Sequence, residues 1–553
     1  MRLLGLTALL LLSPSPSGEG FGVGPILAGY GLGETGTPHP NPSPEGEGLA
    51  APLTIDLVIT NGQVIDGTGT PARVAEVGVD GDRILYIGQR PRGITARRSI
   101  DAHGLTVTPG FIDPHTHSGP DARAPDAARR QLANHLLQGV TSIAIGNDGG
   151  GDSDIAGLFA RLSANPTGPN VASFTGFGEI RLQVVGNRDR APTTAELETM
   201  KAHVARAMCD GALGLSAGLY YAPQSFAQTP EVAALAGVAG RFNGIYETHL
   251  RDEGSASIGL IPAIDEAIAI ARDGRLPLHI AHIKALGADV QGMAPKVIAH
   301  IAAAQKSGIT ITADQYPWEA SSTSLAAALV PRRAQDGGAP AMVANLKTLA
   351  PQLRKDMAEQ LRVRGGPNAI LLVSGPHKGQ RLDALAAQWK LDPLDAAARI
   401  LIADPGTSIA SFNMTQRDID AFARQNWVVS SSDATNGHPR RMGSFARGWR
   451  LFVREKKLMS PERFVQRSSG QTAQILGLPD RGILAPGKFA DIAILDSAIY
   501  AERATYDRPD EPSTGVRYVL VNGRIAVDKG QLTGTLAGRP LPKPRQPQWN
   551  CPA

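Results

Sequence analysis

The sequence predicts an α/β fold: a (β/α)8 TIM-like barrel joined to a small β-sandwich domain that is built from both chain ends. Between residues 107 and 479, short apolar runs rich in β-branched residues alternate with longer segments that suit helices, which is typical of parallel strands with crossover helices. We count eight such runs, which indicates a closed barrel. Short strands with tight turns flank the barrel at residues 51–106 and 480–535.

The flanking segments share one pattern. DLVITNGQVID and VAEVGVDGDRILYIG precede the barrel, with a hairpin signal at Asp80-Gly81-Asp82, and ADIAILD and VRYVLVNGRIAV repeat the pattern after it. The two segments would meet once the centre closes on itself, so we expect one β domain assembled from both.

Several of the eight predicted barrel strands end in residues that can bind a metal. The eight are Leu105 to His117, Val140 to Asp148, Asn170 to Gly178, Ala212 to Gly218, Gly244 to Leu250, Pro277 to Lys284, Thr310 to Pro317 and Trp427 to Asp433. Helices are predicted between them, for example Asp126 to Leu137 and Thr194 to Met208. The gap before the eighth strand is too long for one crossover, so we expect an inserted subdomain around residues 320–425.

The composition excludes some classes of function. The chain has 553 residues, of which 42% are hydrophobic, and a formal charge of only +4. It has no Lys/Arg block interleaved with aromatic residues, which argues against nucleic acid as a partner. No stretch reaches the roughly 18 to 20 apolar residues of a membrane helix, so the chain is not expected to span a membrane.

The two ends carry separate predictions. Arg2 precedes the apolar run Leu3 to Leu12, which resembles a secretory signal, and residues 1–50 are otherwise a Gly/Pro/Ser-rich segment that predicts a disordered linker. We therefore expect a periplasmic or secreted protein, with a cytoplasmic one as the alternative. Residues 536–553 form a Pro-rich tail, and its Cys551 is expected to be a free thiol.

Candidate metal ligands follow from the ends of the barrel strands, where active sites of such barrels form. In PGFIDPHTH, His115 and His117 are two residues apart, so on a regular strand they would face the same way. Other strand ends carry Asp148, His249, His282 and Asp433. Four histidines and two aspartates suffice for one or two divalent ions.

Other histidines and one aspartate are interpreted as structural. His279 lies deeper in the strand that ends at His282 and faces the other side, and Asp113 lies below His115 as a buried, hydrogen-bonded carboxylate. The remaining histidines at positions 39, 103, 135, 203 and 300 lie in the leader, before the barrel or in helical segments.

Seven motifs lie along the chain: PGFIDPHTH, QGVTSIAIGND, GLSAGLYYAP, YETHLRDEG, HIAHIKALG, TADQYPW and SSSDATNGHPRRMGSFAR. Together they resemble the amidohydrolase superfamily, and more closely its D-aminoacylase (N-acyl-D-amino-acid deacylase) branch. The resemblance implies a zinc enzyme, with one or two ions held by His115, His117, His249, His282 and Asp433. Two positions depart from the family pattern. The resemblance implies a cysteine where this chain has Asp148, and a Gly-His-Gly stretch where this chain has Phe177. The branch also lacks the carboxylated lysine of hydantoinases.

The resemblance also implies roles in catalysis. Asp433 would take a proton from the attacking water and return it to the departing amine. Arg440, supported by Lys284, Tyr221 and Tyr316, would bind the substrate carboxylate. From the residues alone, Arg440 and Arg441 are equally compatible with a solvated loop pair.

The leading hypothesis is a metal-dependent hydrolase that cleaves the amide bond of N-acyl-amino acids of D configuration. A related amidohydrolase acting on dipeptides or cyclic amides is the first alternative. The second is a non-catalytic barrel that binds a ligand and has lost turnover through the exchange at position 148. Side-chain preference, acyl-group preference and oligomeric state are not predicted by any motif.

Overall fold

The structure is a computed structural model that describes residues 53–551. The predicted signal and linker at residues 1–50 lie outside them. The strands are, in chain order, β1 (Leu53–Val64), β2 (Arg73–Asp80), β3 (Arg83–Gly88), β4 (Ile94–Asp101), β5 (Thr106–Pro109), β6 (Phe111–Asp113), β7 (Val140–Ile145), β8 (Asn170–Ser173), β9 (Thr175–Gly176), β10 (Gly214–Gly218), β11 (Ile245–His249), β12 (Leu278–Ile280), β13 (Ile311–Gln315), β14 (Ala320–Ser324), β15 (Ile370–Leu372), β16 (Ser408–Phe412), β17 (Val428–Ser430), β18 (Ile492–Leu495), β19 (Val516–Val521), β20 (Arg524–Asp528) and β21 (Gln531–Leu532).

The α-helices are α1 (Gly119–Ala122), α2 (Ala127–Arg130), α3 (Ala133–Leu136), α4 (Ile155–Ala164), α5 (Phe177–Val184), α6 (Thr194–Cys209), α7 (Thr229–Arg241), α8 (Leu260–Gly274), α9 (Ala294–Lys306), α10 (Leu325–Leu329), α11 (Gly338–Thr348), α12 (Pro351–Val363), α13 (Leu382–Trp389), α14 (Pro393–Ala403), α15 (Gln416–Ala423), α16 (Arg440–Gly448), α17 (Pro461–Ser468) and α18 (Gly470–Leu476). A π-helical segment, Trp449–Glu455, follows α16 directly. Within residues 53–551, no helix combines the length and the apolar character that crossing a bilayer requires.

Eight parallel strands close into the predicted barrel. Strands β9 to β13 and β17 form one ladder, β6 to β8 form another, and β8 continues into β9 as the third barrel strand. The ring closes between the first and last strands, where the amide of Asp433 donates to the carbonyl of His115 at 3.0 Å. The barrel prediction is therefore confirmed, and all barrel strands present their C-terminal ends at one rim.

The first predicted barrel strand is two strands, and this corrects the sequence analysis. The run breaks at Gly110: β5 joins the small β domain, while β6 enters the barrel beside β7. A Cβ at Gly110 would lie 2.1 Å from Thr141 Oγ1, so only glycine permits this close approach. Pro114, which has no N–H to donate, then ends β6 before the two histidines.

The small β domain combines strands from both ends of the described chain. Its nine strands form one continuous sheet, in the order β21-β20-β19-β18-β5-β1-β2-β3, with β4 paired to β1. The contact between the two chain ends is the antiparallel pair of β5 and β18. Alternate residues such as Ile59, Val77 and Ile494 are fully buried in the core of this domain.

The inserted subdomain (residues 320–412) leaves the barrel after β13. It has a three-stranded antiparallel sheet in the order β14-β16-β15, covered by α10 to α14, and a separate apolar core that includes Leu329, Met357 and Leu401. The next helix, α15, is part of the barrel layer because Asp418 accepts hydrogen bonds from the amides of Gly292 and Ala294 at the start of α9.

Two local expectations were wrong. The helix predicted from Asp126 to Leu137 is divided into α2 and α3, because Leu132 has a left-handed backbone with φ of 51°. Cys551 is not a free thiol: it forms a disulfide with Cys209 at the end of α6. The Pro-rich tail is thereby fixed to the barrel, and the Trp549 ring packs edge-on against Phe242.

Candidate metal centre

The six candidate ligands lie at the rim formed by the C-terminal ends of the barrel strands. Only His249 is the last residue of a strand; the other five fall two to four residues beyond a strand end. The expected strand alternation is therefore not what aligns His115 and His117, since both follow Pro114. The backbones of Asp148, His282 and Asp433 have positive φ values of 55°, 32° and 47°. Such conformations are uncommon outside glycine and tend to occur at functional sites.

The carboxylate of Asp148 lies at the centre of the cluster. Its Oδ2 atom is 3.5 Å from His115 Nε2 and 3.4 Å from His117 Nε2. The same oxygen is 3.9 Å from His249 Nδ1 and 3.7 Å from His282 Nε2. The carboxylate of Asp148 thus lies between two pairs of histidines, His115 with His117 and His249 with His282. A group that ligates or bridges two cations would have this position.

The donor set fits a divalent ion. Ligands about 2.0–2.2 Å from a common ion are separated from one another by roughly 3–4 Å. In each of three groups the possible ligand atoms lie within 4.8 Å of one another: His115 with His117 and Asp148, His115 with His282 and Asp433, and Asp148 with His249 and His282. Buried nitrogens of His115 and His249 and buried oxygens of Asp148 and Asp433 have no hydrogen-bond partner in the described chain. Coordination would satisfy His115 Nε2 and Asp433 Oδ1, which face the cluster 3.8 Å apart.

The charges that surround the histidines favour a bound cation. Burial lowers the pKa of His249 to about 3, which keeps its imidazole neutral, as a metal ligand must be. Burial opposes protonation of His282, as does Lys284, yet Glu253 and Asp148 raise its pKa to about 9. The carboxylates that draw a proton to His282 would equally attract a cation.

A supporting layer lies beneath the ligands. Glu247 accepts hydrogen bonds from the amide of Asp148 at 3.2 Å and from Asn147 at 3.3 Å. Burial and the neighbouring Asp148 raise the pKa of Glu247 to about 8. Asp314 accepts from the amide of His282 at 3.0 Å and lies 3.1 Å from Nε2 of His279. His279 thus supports the site through Asp314, in agreement with the structural role predicted for it.

Asp433 connects the cluster to the remainder of the pocket. One oxygen is 3.2 Å from His117 Nε2, and the other is 2.7 Å from Arg440 Nη1. Burial alone would raise the pKa of Asp433, but the Arg440 guanidinium holds it below its usual value. Asp433 is therefore an ionised carboxylate at neutral pH. Asp113, whose pKa burial raises to about 7, fixes the loop by accepting from the amide of Ser432.

One pocket contains most of the predicted site residues. It is lined by five of the ligands, by all four predicted substrate-binding residues and by seven others: His117, Asp148, His249, His282, Asp433, Arg440, Lys284, Tyr221, Tyr316, Tyr220, Glu253, Leu286, Ser321, Ser322, Thr323 and Arg364. His115 does not line it and is fully buried below. Arg440 is 1% exposed, so the solvated loop pair considered from the sequence is wrong for this residue.

The predicted substrate-binding groups have specific contacts. The Arg440 guanidinium lies 4.8 Å from the centre of the Tyr316 ring, and the Tyr316 hydroxyl has no hydrogen-bond partner among the described residues. The hydroxyl of Tyr221 is 3.4 Å from Thr323. Lys284 lies at the pocket wall, 2.6 Å from Nδ1 of His282. All four line the pocket, and they are the candidates for binding a carboxylate there.

Sequence reasoning missed Glu253 and Arg364. Glu253 is 5% exposed, accepts from Lys284 at 2.5 Å and is 3.1 Å from His282 Nδ1. A signal existed for it, because it follows His249 by four residues in YETHLRDEG. Arg364 belongs to the inserted subdomain, 82 residues after His282, and no sequence pattern links it to the site.

Phe177, where the resemblance implies a histidine, begins α5 and is completely buried. Among the other histidines, His135 is buried against Ser118, with Nε2 2.8 Å from the hydroxyl, and His300 lies 2.6 Å from Asp265 on the outer helices. These contacts agree with structural roles.

Known proteins resemble this chain over most of its length. A model of the amidohydrolase family matches residues 98–527. N-acyl-D-glutamate deacylase of Alcaligenes xylosoxydans xylosoxydans is 32% identical over 85% of this chain and 93% of its own. Among solved structures, N-acyl-D-glutamate deacylase from Bordetella bronchiseptica superposes on this chain with a TM-score of 0.76 and 29% identity. The match covers 89% of this chain and all of that one. That structure contains zinc and a phosphonate inhibitor that mimics the tetrahedral intermediate. A D-aminoacylase structure with a binuclear metal centre has a TM-score of 0.75 and 28% identity. This match covers 88% of this chain and all of that one.

Proposed function

The chain belongs to the amidohydrolase family, and on that premise we propose that it is a metal-dependent hydrolase of N-acyl-D-amino acids, which it converts to a carboxylate and a free amino acid. The relatives named as deacylases of D-amino acids span almost their full length in this comparison. These relatives support the proposed substrate class, and the side chains of the site support the proposed reaction.

The observation that carries the proposal is the position of Asp433. This ionised carboxylate is 3.2 Å from the candidate ligand His117 and 2.7 Å from Arg440, a buried cation suited to a substrate carboxylate. A proton-transfer group thus lies between the groups that activate water and those that bind an α-carboxylate.

Zinc is the proposed ion, as in the Bordetella relative. His115, His117, His249, His282, Asp148 and Asp433 would hold one or two such ions, with Asp148 shared between the two histidine pairs. When bound, the ion supplies Lewis-acid activation of water and of the amide carbonyl.

The side chains of the chain perform the remaining steps. Arg440, Lys284 and the hydroxyls of Tyr221 and Tyr316 orient the substrate through its α-carboxylate. Asp433 accepts a proton as water adds to the carbonyl, and it returns that proton to the amine nitrogen as the C–N bond breaks. Because Arg440 holds the pKa of Asp433 low, the carboxylate is available as a base across the neutral range.

A substrate panel tests the proposal. Purified protein supplied with zinc is expected to hydrolyse N-acetyl-D-amino acids faster than their L enantiomers, dipeptides or hydantoins, as measured by release of free amine or of the opened ring. Turnover restricted to dipeptides or hydantoins would favour the other amidohydrolase reaction. Absence of any amide hydrolysis in the zinc-loaded protein would reject an enzymatic role.

The proposal also includes export to an oxidising compartment. Both cysteines of the chain are joined in one disulfide, and disulfides persist in the periplasm or outside the cell. Cells that produce the full-length chain can be treated with a thiol-alkylating reagent and fractionated. The proposal expects unreactive cysteines in the periplasmic or secreted fraction; alkylated protein in the cytoplasm would contradict it.

A further inference from the structure

Glu253 is a buried carboxylate that contacts three residues of the site at once. It lies in the loop after β11, is 5% exposed and lines the pocket. Its Oε1 atom is 2.5 Å from Lys284 Nζ and 3.1 Å from His282 Nδ1. Its Oε2 atom is 3.5 Å from His249 Nε2. Both oxygens therefore face candidate metal ligands, although Glu253 has no part in the proposed reaction.

The nitrogens that Glu253 faces are those that point away from the metal cluster. Nδ1 of His249 and Nε2 of His282 are 2.9 Å apart, and they lie 3.9 and 3.7 Å from Asp148 Oδ2. The other nitrogen of each ring faces Glu253. A neutral histidine that binds an ion through one nitrogen carries its proton on the other, and a carboxylate that accepts this proton in a hydrogen bond fixes the ring orientation. Glu253 can do so for both rings.

Hydrogen bonds hold the loop that carries Glu253. The carboxylate of Asp252 accepts from the amide of Gly254 at 2.9 Å, which tightens the turn. The carbonyl of Glu253 accepts from the amide of Leu286 at 2.8 Å, so this loop is joined to the segment that follows β12. A Cβ at Gly254 would lie 2.2 Å from the carbonyl oxygen of Leu286, so the two backbones approach closely. Glu253 is therefore fixed between the two strands that supply the histidine pair.

Glu253 could instead serve only as the counter-ion of Lys284. That role would account for the contact of Oε1 with the ammonium, but it leaves Oε2 unexplained. Among residues 53–551, Glu253 is the only carboxylate within 4.0 Å of Nε2 of His249, and this nitrogen has no hydrogen-bond partner. A counter-ion for Lys284 needs no contact with either imidazole, whereas a group that orients both rings needs these two contacts.

Lys284 and His282 share one oxygen of Glu253. The ammonium of Lys284 is also 2.6 Å from Nδ1 of His282. An ammonium has donors only, so it cannot hydrogen-bond to Nδ1 when that nitrogen carries a proton. A neutral His282 that binds an ion through Nε2 carries its proton on Nδ1. Oε1 of Glu253 is then the acceptor for both donors, and its charge balances that of Lys284.

We propose that Glu253 is a positioning residue of the metal centre, which orients the imidazoles of His249 and His282 through the nitrogens that do not face the cluster. Its effect on the reaction is indirect, because it acts through these two ligands. The inference rests on the proposed function, since it assumes that the cluster binds an ion.

Zinc affinity, measured by competition with a chromophoric chelator, tests this inference. Glu253→Gln keeps the size of the side chain and removes its charge. Its zinc Kd is expected to be about 10- to 100-fold higher than that of wild type, the usual effect of losing a partner of a metal-bound histidine. Glu198→Gln, whose side chain is 65% exposed, is the matched control and should keep the wild-type affinity. Equal zinc affinity in Glu253→Gln and wild type would overturn the inference.

A double variant keeps the test valid if Glu253→Gln folds poorly, because that substitution leaves the buried ammonium of Lys284 without a carboxylate. Glu253→Gln/Lys284→Met removes both charges of the pair. Lys284→Met alone should bind zinc at least as tightly as wild type, since Glu253 remains. The double variant should bind zinc about 10-fold or more weakly than Lys284→Met. Equal affinity in these two variants would also overturn the inference.

Thermal midpoints separate the positioning role from a purely structural one. The rise in midpoint on addition of zinc should be smaller in the double variant than in Lys284→Met at the same zinc concentration, because less metal is bound. A structural ion pair would lower the midpoint of the zinc-free protein and leave the rise on zinc unchanged, and that result would overturn the inference.

Zinc binding needs no turnover, so failure of the inference can be distinguished from failure of the proposed function. A wild-type protein that binds no zinc would reject both. Wild type that binds zinc and hydrolyses N-acetyl-D-amino acids, together with unchanged zinc affinity in Glu253→Gln, would reject the role of Glu253 and leave the proposed function in place.

Discussion

Asp148 is the residue with the most consequence for the metal centre. A carboxylate is a harder ligand than the cysteine thiolate that the family resemblance implies at this position, and it has two oxygens with which to bridge ions. Its Oδ2 lies within 3.9 Å of a nitrogen of each of the four candidate histidines. Position 148 therefore affects metal preference as well as metal affinity.

The first prediction concerns this preference. Asp148→Ala is expected to weaken zinc binding by at least about 10- to 100-fold, the usual effect of losing even a supporting residue. Asp148→Cys is expected to bind zinc but to lose manganese relative to wild type, because thiolate favours softer ions. Metal content after dialysis against equal zinc and manganese measures both effects. An identical zinc-to-manganese ratio in Asp148→Cys and wild type would contradict the prediction.

The second prediction concerns Asp433. Asp433→Asn keeps the size of the side chain and an oxygen for Arg440, but it removes the proton acceptor. We expect kcat to fall by about 10²- to 10⁴-fold, the usual contribution of general acid–base catalysis. Steady-state kinetics and the thermal midpoint are measured together.

A matched control is Asp510→Asn, whose side chain is 63% exposed. It should retain wild-type kinetics. Wild-type kcat in Asp433→Asn would remove this residue from its proposed role, and a collapsed thermal midpoint would indicate a loss of fold instead.

The candidate ligands could be predicted from the sequence because each is a strong donor next to an apolar run whose end is known to lie at the barrel rim. His115 and His117 were predicted correctly as neighbours, but for an incomplete reason, since Pro114 ends the strand before them. Arg364 could not be predicted, because its position depends on how a subdomain folds back over the rim. The burial of Arg440 could not be predicted from the sequence either, because HPRR has the composition of an exposed loop.

At the scale of elements, the pocket is built from two independent parts. The barrel rim supplies the candidate ligands, while β14 and the end of α12 in the inserted subdomain supply Ser321, Ser322, Thr323 and Arg364. The subdomain has a separate apolar core. Its sequence can therefore change substrate preference without altering the geometry of the metal centre.

The C-terminal tail is an element whose role was not predicted. Its backbone extends the barrel hydrogen bonding: the amide of Leu541 donates to Val171 and that of Lys543 to Gly211, both at 2.8 Å. The sequence could not indicate the disulfide, because Cys209 and Cys551 are 342 residues apart and only the fold brings their Cα atoms to 5.8 Å.

The third prediction concerns this disulfide. Cys209→Ser is expected to destabilise the protein by about 2–4 kcal/mol, because the cross-link no longer restricts the unfolded chain. The thermal midpoint of the variant should be lower than that of oxidised wild type. Reductant should lower the midpoint of wild type to that of the variant and leave the variant unchanged. Equal midpoints for the variant and oxidised wild type would contradict the prediction.

At the scale of the whole molecule, the site holds together residues that are remote in the chain. The barrel closes where Ala434 accepts from the amide of His117, at 3.1 Å. The eight-strand count and the two-ended β domain were predictable because apolar periodicity sets both. The break at Gly110 was not, because it depends on one close contact with Thr141.

The fourth prediction follows from this arrangement. Apart from Asp433, the rim also buries Asp148, Glu247, Glu253 and Asp314. An ion that binds the folded protein and not the unfolded chain stabilises it by about 4 kcal/mol at a free concentration 1,000 times its Kd. Chelation is therefore expected to lower the thermal midpoint of wild type and zinc to restore it. In Asp148→Ala the shift on chelation should be much smaller, because less metal is bound at the same zinc concentration. Identical midpoints for chelated and zinc-loaded wild type would reject the metal centre. The buried carboxylates would then be neutralised by protonation and by Arg440 and Lys284 alone.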